Sequence, residues 1–218
     1  MQLDWGSLRR AEPVSRQFGF DRGVPVDRYY IEQFLRKNAG DVRGRVLEIG
    51  DDSYTRQFGG DRVKRSDVFH AHAENPLATF VGDLATADEI PSGILDCAIV
   101  TQTLQCVFEP GAAIRTLYRI LRPGGVLLLT VPGITAVSSK DDEWSKMWYW
   151  SFTPALIRHL VLEAFEEDLS TFEVRGNVLT GVCALQGIAL EDIRVEELER
   201  DDPEYPVLLC ARAVKRAG

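Results

Sequence analysis

The stretch RVLEIGDDSY, Arg45 to Tyr54, decides the fold class. Its first five residues, Arg45–Ile49, form a short aliphatic and β-branched run that stops at Gly50. Such a run, bounded by a turn residue, reads as a buried strand. The glycine lets the backbone turn sharply and lets a ligand come close to it. Working outward, Arg62–Val68 is a second, more polar strand candidate, and Ala78–Val81 leads into Gly82-Asp83-Leu84. Leu95–Thr101 is a continuous apolar run, the pattern of a strand covered on both faces. Pro110–Leu121 places Ile114, Leu117, Ile120 and Leu121 at helical spacing. Arg122-Pro123-Gly124-Gly125 reads as a turn and Val126–Val131 as another buried strand. Upstream, Val26–Asn38 sets Tyr30, Ile31, Phe34 and Leu35 on one helical face, with Asp27 as the expected N-cap and Gly40 past its end.

Strands that alternate with helix-length segments predict βαβ units, so an α/β fold with a doubly wound, mostly parallel sheet is expected. The tail differs. Pro154–Phe165 reads as a helix capped by Thr153, and Leu169–Val174 and Val207–Val214 as strands joined by Glu-rich sequence. They suggest an antiparallel C-terminal element. The expected organisation is one domain over residues 1–218. It comprises an arm at 1–25 able to act as a lid, a core at 26–135, and a substrate-side insertion with the C-terminal strands at 136–218.

Composition narrows the function classes. Hydrophobic residues at 45% and charged residues at 27% are ordinary for a globular chain. A net charge of −8 disfavours a nucleic-acid surface, which needs clustered Lys and Arg. No run approaches the ~18 apolar residues of a membrane span, and no apolar leader follows the start. The four cysteines form no CxxC pair, and Cys97 and Cys210 sit in apolar runs that suit buried thiols. A cytoplasmic protein without nucleic-acid or membrane partners is expected. His70, His72 and His159 do not have zinc-site spacing, so no metal ligand is expected.

In an open α/β sheet, ligands bind beyond the carboxyl ends of the strands, near the point where strand order reverses. Glu48 and Asp51 flank Gly50 at the first such end, where a ligand ammonium could be held by charge-assisted hydrogen bonds. Asp67 lies 17 residues past Gly50, near the spacing at which an acid reaches a ribose diol. Asp83 could accept from an adenine amine, with Leu84 beside it, and Thr101 and Gln102 would line the pocket after the fourth strand.

RVLEIG (45–50), the Asp67 strand end, VGDL (81–84), LDCAIVTQTL (95–104) and LRPGGVLLLTVPG (121–133) resemble, in order, the motifs of class I S-adenosylmethionine-dependent methyltransferases. The resemblance covers roughly residues 25–185, and WYWSFTPALIRHL (148–160) resembles a helix of small-molecule and glycan-modifying members. It implies S-adenosylmethionine as cofactor and methyl transfer to a small-molecule acceptor, oxygen before nitrogen: a sugar, a glycan intermediate or a secondary metabolite. The chain departs from the family pattern E-x-G-x-G-x-G, because Asp52 and Tyr54 replace the second and third glycines. A phosphate-bearing dinucleotide tolerates that added charge less than a sulfonium cofactor does. The departure also leaves open a non-catalytic binding or scaffold protein that keeps the fold.

The acceptor side is read from aromatics. Trp144, Trp148 and Tyr149 follow the fifth strand, and their faces suit a sugar or planar ring, although a hydrophobic plug reads equally well. Tyr29 and Tyr30 cannot both face the core of one helix, so at least one is a candidate ligand contact. No general base can be named; proximity alone supplies much of the rate of an in-line displacement.

Overall fold

The computed structural model describes Gly6, residues 9–138 and residues 146–217. A helix, α1 (Val26–Lys37), precedes four strands: β1 (Gly44–Ile49), β2 (Val63–His70), β3 (Phe80–Val81) and β4 (Leu95–Thr101). Then come α2 (Pro110–Ile120), β5 (Leu121–Pro132), α3 (Pro154–Leu162), β6 (Ser170–Arg175), α4 (Val178–Gln186), the single turn α5 (Val195–Leu198) and β7 (Leu208–Val214). The strands form one seven-stranded sheet in the order β3-β2-β1-β4-β5-β7-β6. Pairing is parallel from β3 to β5. β7 runs antiparallel to both β5 and β6. Strand order reverses between β1 and β4, the position at which such sheets open a crevice.

Side-chain alternation sorts the central strands onto two faces. Ala98, Val100, Leu127 and Leu129 pack with α2 and α3 through Ile114, Leu117, Ile157 and Val161. Cys97, Ile99, Val126 and Leu128 pack with α1 and α4 through Tyr30, Ile31, Phe34 and Cys183. Both faces are covered, which is why β4 and β5 read as unbroken apolar runs. Cys97, Cys183 and Cys210 are buried free thiols, and burial raises the pKa of each.

Several expectations change. The connections from β1 to β4 carry no α-helix that covers the sheet. Residues 51–62 make only a short helical segment, with Thr55–Gly59 π-helical and Phe58 packed on the core, and Gly60, at φ +53°, ends it. Residues 71–79 and 82–94 are turns that contain Pro76 and Pro91. The turn at Arg122–Gly125 is a bulge inside β5, where the register jumps from Leu95↔Leu121 to Cys97↔Val126. Gly124 takes φ +77° there, and a side chain at Gly125 would meet the Arg122 and Leu95 carbonyls at 2.9 Å. Pro25, not Asp27, occupies the N-cap position of α1. The Glu-rich tail hides α4, whose Asn177–Thr180 capping box starts it and whose Gly187, at φ +64°, ends it. Thr153 does cap α3, by accepting from the Leu156 amide at 3.2 Å.

The largest correction concerns Asp67. β2 continues to His70, so Asp67 lies within the strand, opposite Leu47, and not at its carboxyl end. It is fully buried, and its two oxygens accept from Arg45 Nε at 2.6 Å and Arg65 Nε at 3.0 Å. Asp96 accepts from the Arg45 amide at 2.7 Å and pairs with Arg122, tying β1, β4 and β5 together. Among the described residues no helix is long and apolar enough to cross a membrane.

Removing one partner of a buried ion pair leaves charge without compensation. Asp67→Ala is expected to lower unfolding stability by about 1–3 kcal/mol, because both arginines still reach solvent. Urea denaturation measures it; an unchanged midpoint would contradict the clamp.

Candidate functional site

The crevice is built first by Glu48 of β1. Its carboxylate is buried and accepts from the Tyr54 amide at 3.1 Å and the Thr55 amide at 2.7 Å. Those bonds fold residues 50–55 back over the strand end. Both oxygens thus hold the loop, instead of facing a ligand ammonium as the sequence suggested. Burial outweighs the two amides and raises its pKa to about 7. Gly50 takes φ +91°, and a methyl group added there would meet nothing within 4 Å. Its carbonyl accepts from Asn75 Nδ2 at 2.6 Å. Open space therefore adjoins the backbone at the end of β1.

The two residues that replace glycines are tied down. Asp52 pairs with Arg56, and the Tyr54 hydroxyl accepts from Arg28 Nη1 at 3.2 Å. Neither side chain fills the space at Gly50. Asp51 is exposed and accepts from the Ser53 amide at 2.8 Å.

At the end of β4, Gln102 takes φ +47°, an uncommon conformation for a side-chain-bearing residue. Its Nε2 donates to Asp27 Oδ2 at 3.0 Å, and its carbonyl accepts from Gln105 Nε2 at 2.9 Å. These partners fix both amide orientations and leave Gln102 Oε1 and Gln105 Oε1 buried without a partner among the described residues. Thr101 is half-buried beside them, and its carbonyl accepts from Thr103 Oγ1.

Two cavities open here, and Cys106 borders both. One, of about 300 Å³, is lined by Ile49, Phe69, Gly82, Asp83, Leu84 and Tyr149. Asp83 is exposed, with Oδ1 accepting from the Ala85 amide at 2.8 Å; Leu84 is buried. The other, of about 430 Å³, has Asp27, Arg28 and Gln102 on its lining together with Phe18, Phe20 and Trp148. Arg28 beside Asp27 and Tyr54 has its pKa raised despite burial, so it stays a cation.

The structure separates the expected substrate contacts. Trp148 and Tyr149 each line a cavity, whereas Trp144 lies outside the described residues. Tyr30 is fully buried in the core and donates its hydroxyl to the Leu198 carbonyl at 3.0 Å. Tyr29 stands edge-on to Tyr30 and lines neither cavity. Sequence reasoning missed Asp27, Arg28, Gln105, Phe18 and Phe20. The adjacent opposite charges of Asp27 and Arg28 just after Pro25 were a usable signal, since a first-turn pair at a chain entry point cannot both be capping groups. His159 faces Glu163 at 3.2 Å on the exposed side of α3.

The raised Glu48 pKa carries a sign. The folded state binds that proton more tightly than the unfolded state, so its contribution is fully present below the ordinary carboxylate value. It is lost as pH rises toward about 7. Unfolding free energy of the native protein is expected to fall by about 3 kcal/mol more than that of Glu48→Gln between pH 4.5 and 7.5. Denaturation across that range reads the difference; parallel curves would show Glu48 to be inert.

A family model described as a methyltransferase domain matches residues 13–173. A Mycolicibacterium smegmatis protein described as a probable S-adenosylmethionine-dependent methyltransferase is 25% identical over 181 residues, 81% of this chain. The chain spans 65% of that relative's length. A SAM-dependent methyltransferase from Archaeoglobus fulgidus superposes with a TM-score of 0.58 at 14% identity, covering 86% of this chain and 94% of that one. A Haemonchus contortus phosphoethanolamine N-methyltransferase, solved with phosphomonomethylethanolamine and S-adenosylhomocysteine, gives 0.54 at 14% identity over 86% of this chain and 52% of that one. With the strand order, the open glycine at the end of β1 and the paired cavities, the match places the chain in the methyltransferase-domain family, among the class I S-adenosylmethionine-dependent methyltransferases.

Proposed function

We propose that this chain transfers the methyl group of S-adenosylmethionine to a small-molecule acceptor, at oxygen in preference to nitrogen. The observation that carries the reading is the pair of cavities meeting at Cys106, beyond the ends of β1 and β4. The smaller one offers apolar walls for a base, with the Asp83 carboxylate as an acceptor for an exocyclic amine. The larger one has a charged end and an aromatic end. At the charged end, Arg28 suits the carboxylate of the cofactor's amino-acid part, and Gln102 Oε1 and Asp27 suit its ammonium. Gly50 admits the cofactor between them. With Asp67 engaged by two arginines, the exposed Asp51 at the end of β1 is the acid that suits the ribose.

The cofactor supplies an electrophilic methyl on a sulfonium. The protein's part is to hold an acceptor in line with it, which accounts for much of the rate of such a displacement. The sugar, glycan or secondary-metabolite identity of the acceptor is a finer proposal. It draws support from the small cavity and from the net negative charge, which does not suit nucleic acid.

Calorimetry with S-adenosylhomocysteine and 5′-methylthioadenosine tests the reading, because the second ligand lacks the amino-acid part. Native protein is expected to bind the first at micromolar concentration. Losing a charge-assisted bond at Arg28→Ala should weaken S-adenosylhomocysteine about 10–100-fold and leave 5′-methylthioadenosine within about twofold. No binding of either ligand at millimolar concentration would defeat the proposal and favour a fold kept without its cofactor.

A further inference from the structure

The aromatic end of the larger cavity is closed by two separately anchored bodies. Trp148 belongs to a segment fixed to the floor, since the Tyr149 and Trp150 amides donate to the Gln105 carbonyl at 2.8 and 3.3 Å. Phe18 belongs to the N-terminal arm, which is tied at both ends to the chain around α4. The Ser15 amide donates to the Gln186 carbonyl at 3.0 Å, and Arg22 pairs with Asp192 at 2.8 Å. Between those ties, Phe18 lies almost parallel to the Trp148 indole, with ring centroids 6.1 Å apart and planes 9° apart.

This closed contact is costly in two independent ways. Phe18 sits at φ +57°, in the left-handed region that a bulky side chain rarely adopts, and Gly19 follows at φ +98°. The indole Nε1 of Trp148 is buried without a hydrogen-bond partner among the described residues. So is Gln105 Oε1, on a residue only 3% exposed. A buried donor and a buried acceptor left unmade each weigh against this state. A ligand hydroxyl in this cavity that donated to Gln105 Oε1 would relieve the buried acceptor.

We infer that the acceptor is a planar aromatic ring bearing a hydroxyl group, seated between Phe18 and Trp148 with its oxygen toward Gln105. This deepens the methyl-transfer reading and rests on it. Phe18 and Trp148 already lie near-parallel, and parting them from 6.1 Å to the roughly 7 Å that two stacking contacts require admits an aromatic ring between them. A second argument is chemical. Among the described residues, the larger cavity is lined by no histidine or lysine, and its Asp27 carboxylate is already bonded to Gln102. An aliphatic alcohol would need a base, whereas a phenolic hydroxyl has a pKa near ~10 and ionises far more readily. In the step, the ring oxygen attacks the methyl carbon and a C–O bond forms. The S–C bond breaks with its electron pair returning to sulfur, and the hydroxyl proton passes to water. Gln105 orients the hydroxyl without taking the proton.

The test is calorimetric binding of 2-naphthol and of methyl β-glucoside to the native protein, with and without S-adenosylhomocysteine. 2-Naphthol is expected to bind at least tenfold more tightly than the glucoside. Trp148→Leu should weaken it at least tenfold, with S-adenosylhomocysteine affinity and melting temperature kept, and Gln105→Leu at least threefold. Gln105→Glu, which restores an acceptor, should bind 2-naphthol better than Gln105→Leu. Tighter binding of the glucoside, no binding of 2-naphthol, or equal binding by native protein and a folded Trp148→Leu would overturn the inference. Loss of S-adenosylhomocysteine binding alone would instead sink the cofactor reading and leave the ring site standing.

Discussion

The site depends on one pairing, that of β1 with β4. These strands run parallel in the register Val46↔Cys97, Leu47↔Ala98, Glu48↔Ile99. The register delivers Gly50 and Gln102 to the same rim of the sheet, where strand order reverses. Each strand is gripped from both faces, by α1 and α4 below and α2 and α3 above, so the rim cannot shift without disturbing two apolar layers. The Asp96 bonds to Arg45 and Arg122 hold the opposite ends of the same strands. The cavities are therefore openings in a rigid rim, and what varies around them is loop and arm.

Much of the fold was legible because burial leaves a plain mark on sequence. β4 and β5 announced themselves as continuous apolar runs, and α1 and α2 by period. The site was legible where backbone geometry demanded a residue type, as at Gly50, and where strand ends could be located. It was illegible where a polar side chain had two equally good uses. Glu48 looked like a ligand contact and is a loop brace; Asp67 looked like a strand end because Phe69 and His70 were not credited to β2. Nothing local separates an acid bound to arginines from one waiting for a ribose. Tyr30 was set on the apolar face of α1 and also named with Tyr29 as a candidate ligand contact; its hydroxyl finds the Leu198 carbonyl, a partner 168 residues away that no local pattern records.

The altered glycine loop acquires a physical account. Where a run of glycines would leave the turn free, Glu48, Arg28 and Arg56 fix it through the Tyr54 and Thr55 amides, the Tyr54 hydroxyl and the Asp52 carboxylate. Rigidity supplied by side chains replaces flexibility supplied by their absence. The same network brings the first turn of α1 to the cavity, which explains how a helix outside the recognised motifs contributes a cation and an anion to it.

The position of β7 has a consequence for how the chain reaches this state. It follows β6 in sequence but lies between β5 and β6 in the sheet. Until it is in place, β6 has no neighbour to bond with, and β5 presents its whole outer edge. A chain elongating from its N-terminus thus carries two unsatisfied edges through the synthesis of α4 and the segment after it. Completion is a late insertion into a waiting slot, a long-range event that is intrinsically slow and exposes strand edges to other chains. The rim that forms the site is complete before that closure, but its outer wall at Val207 arrives only with the inserting strand.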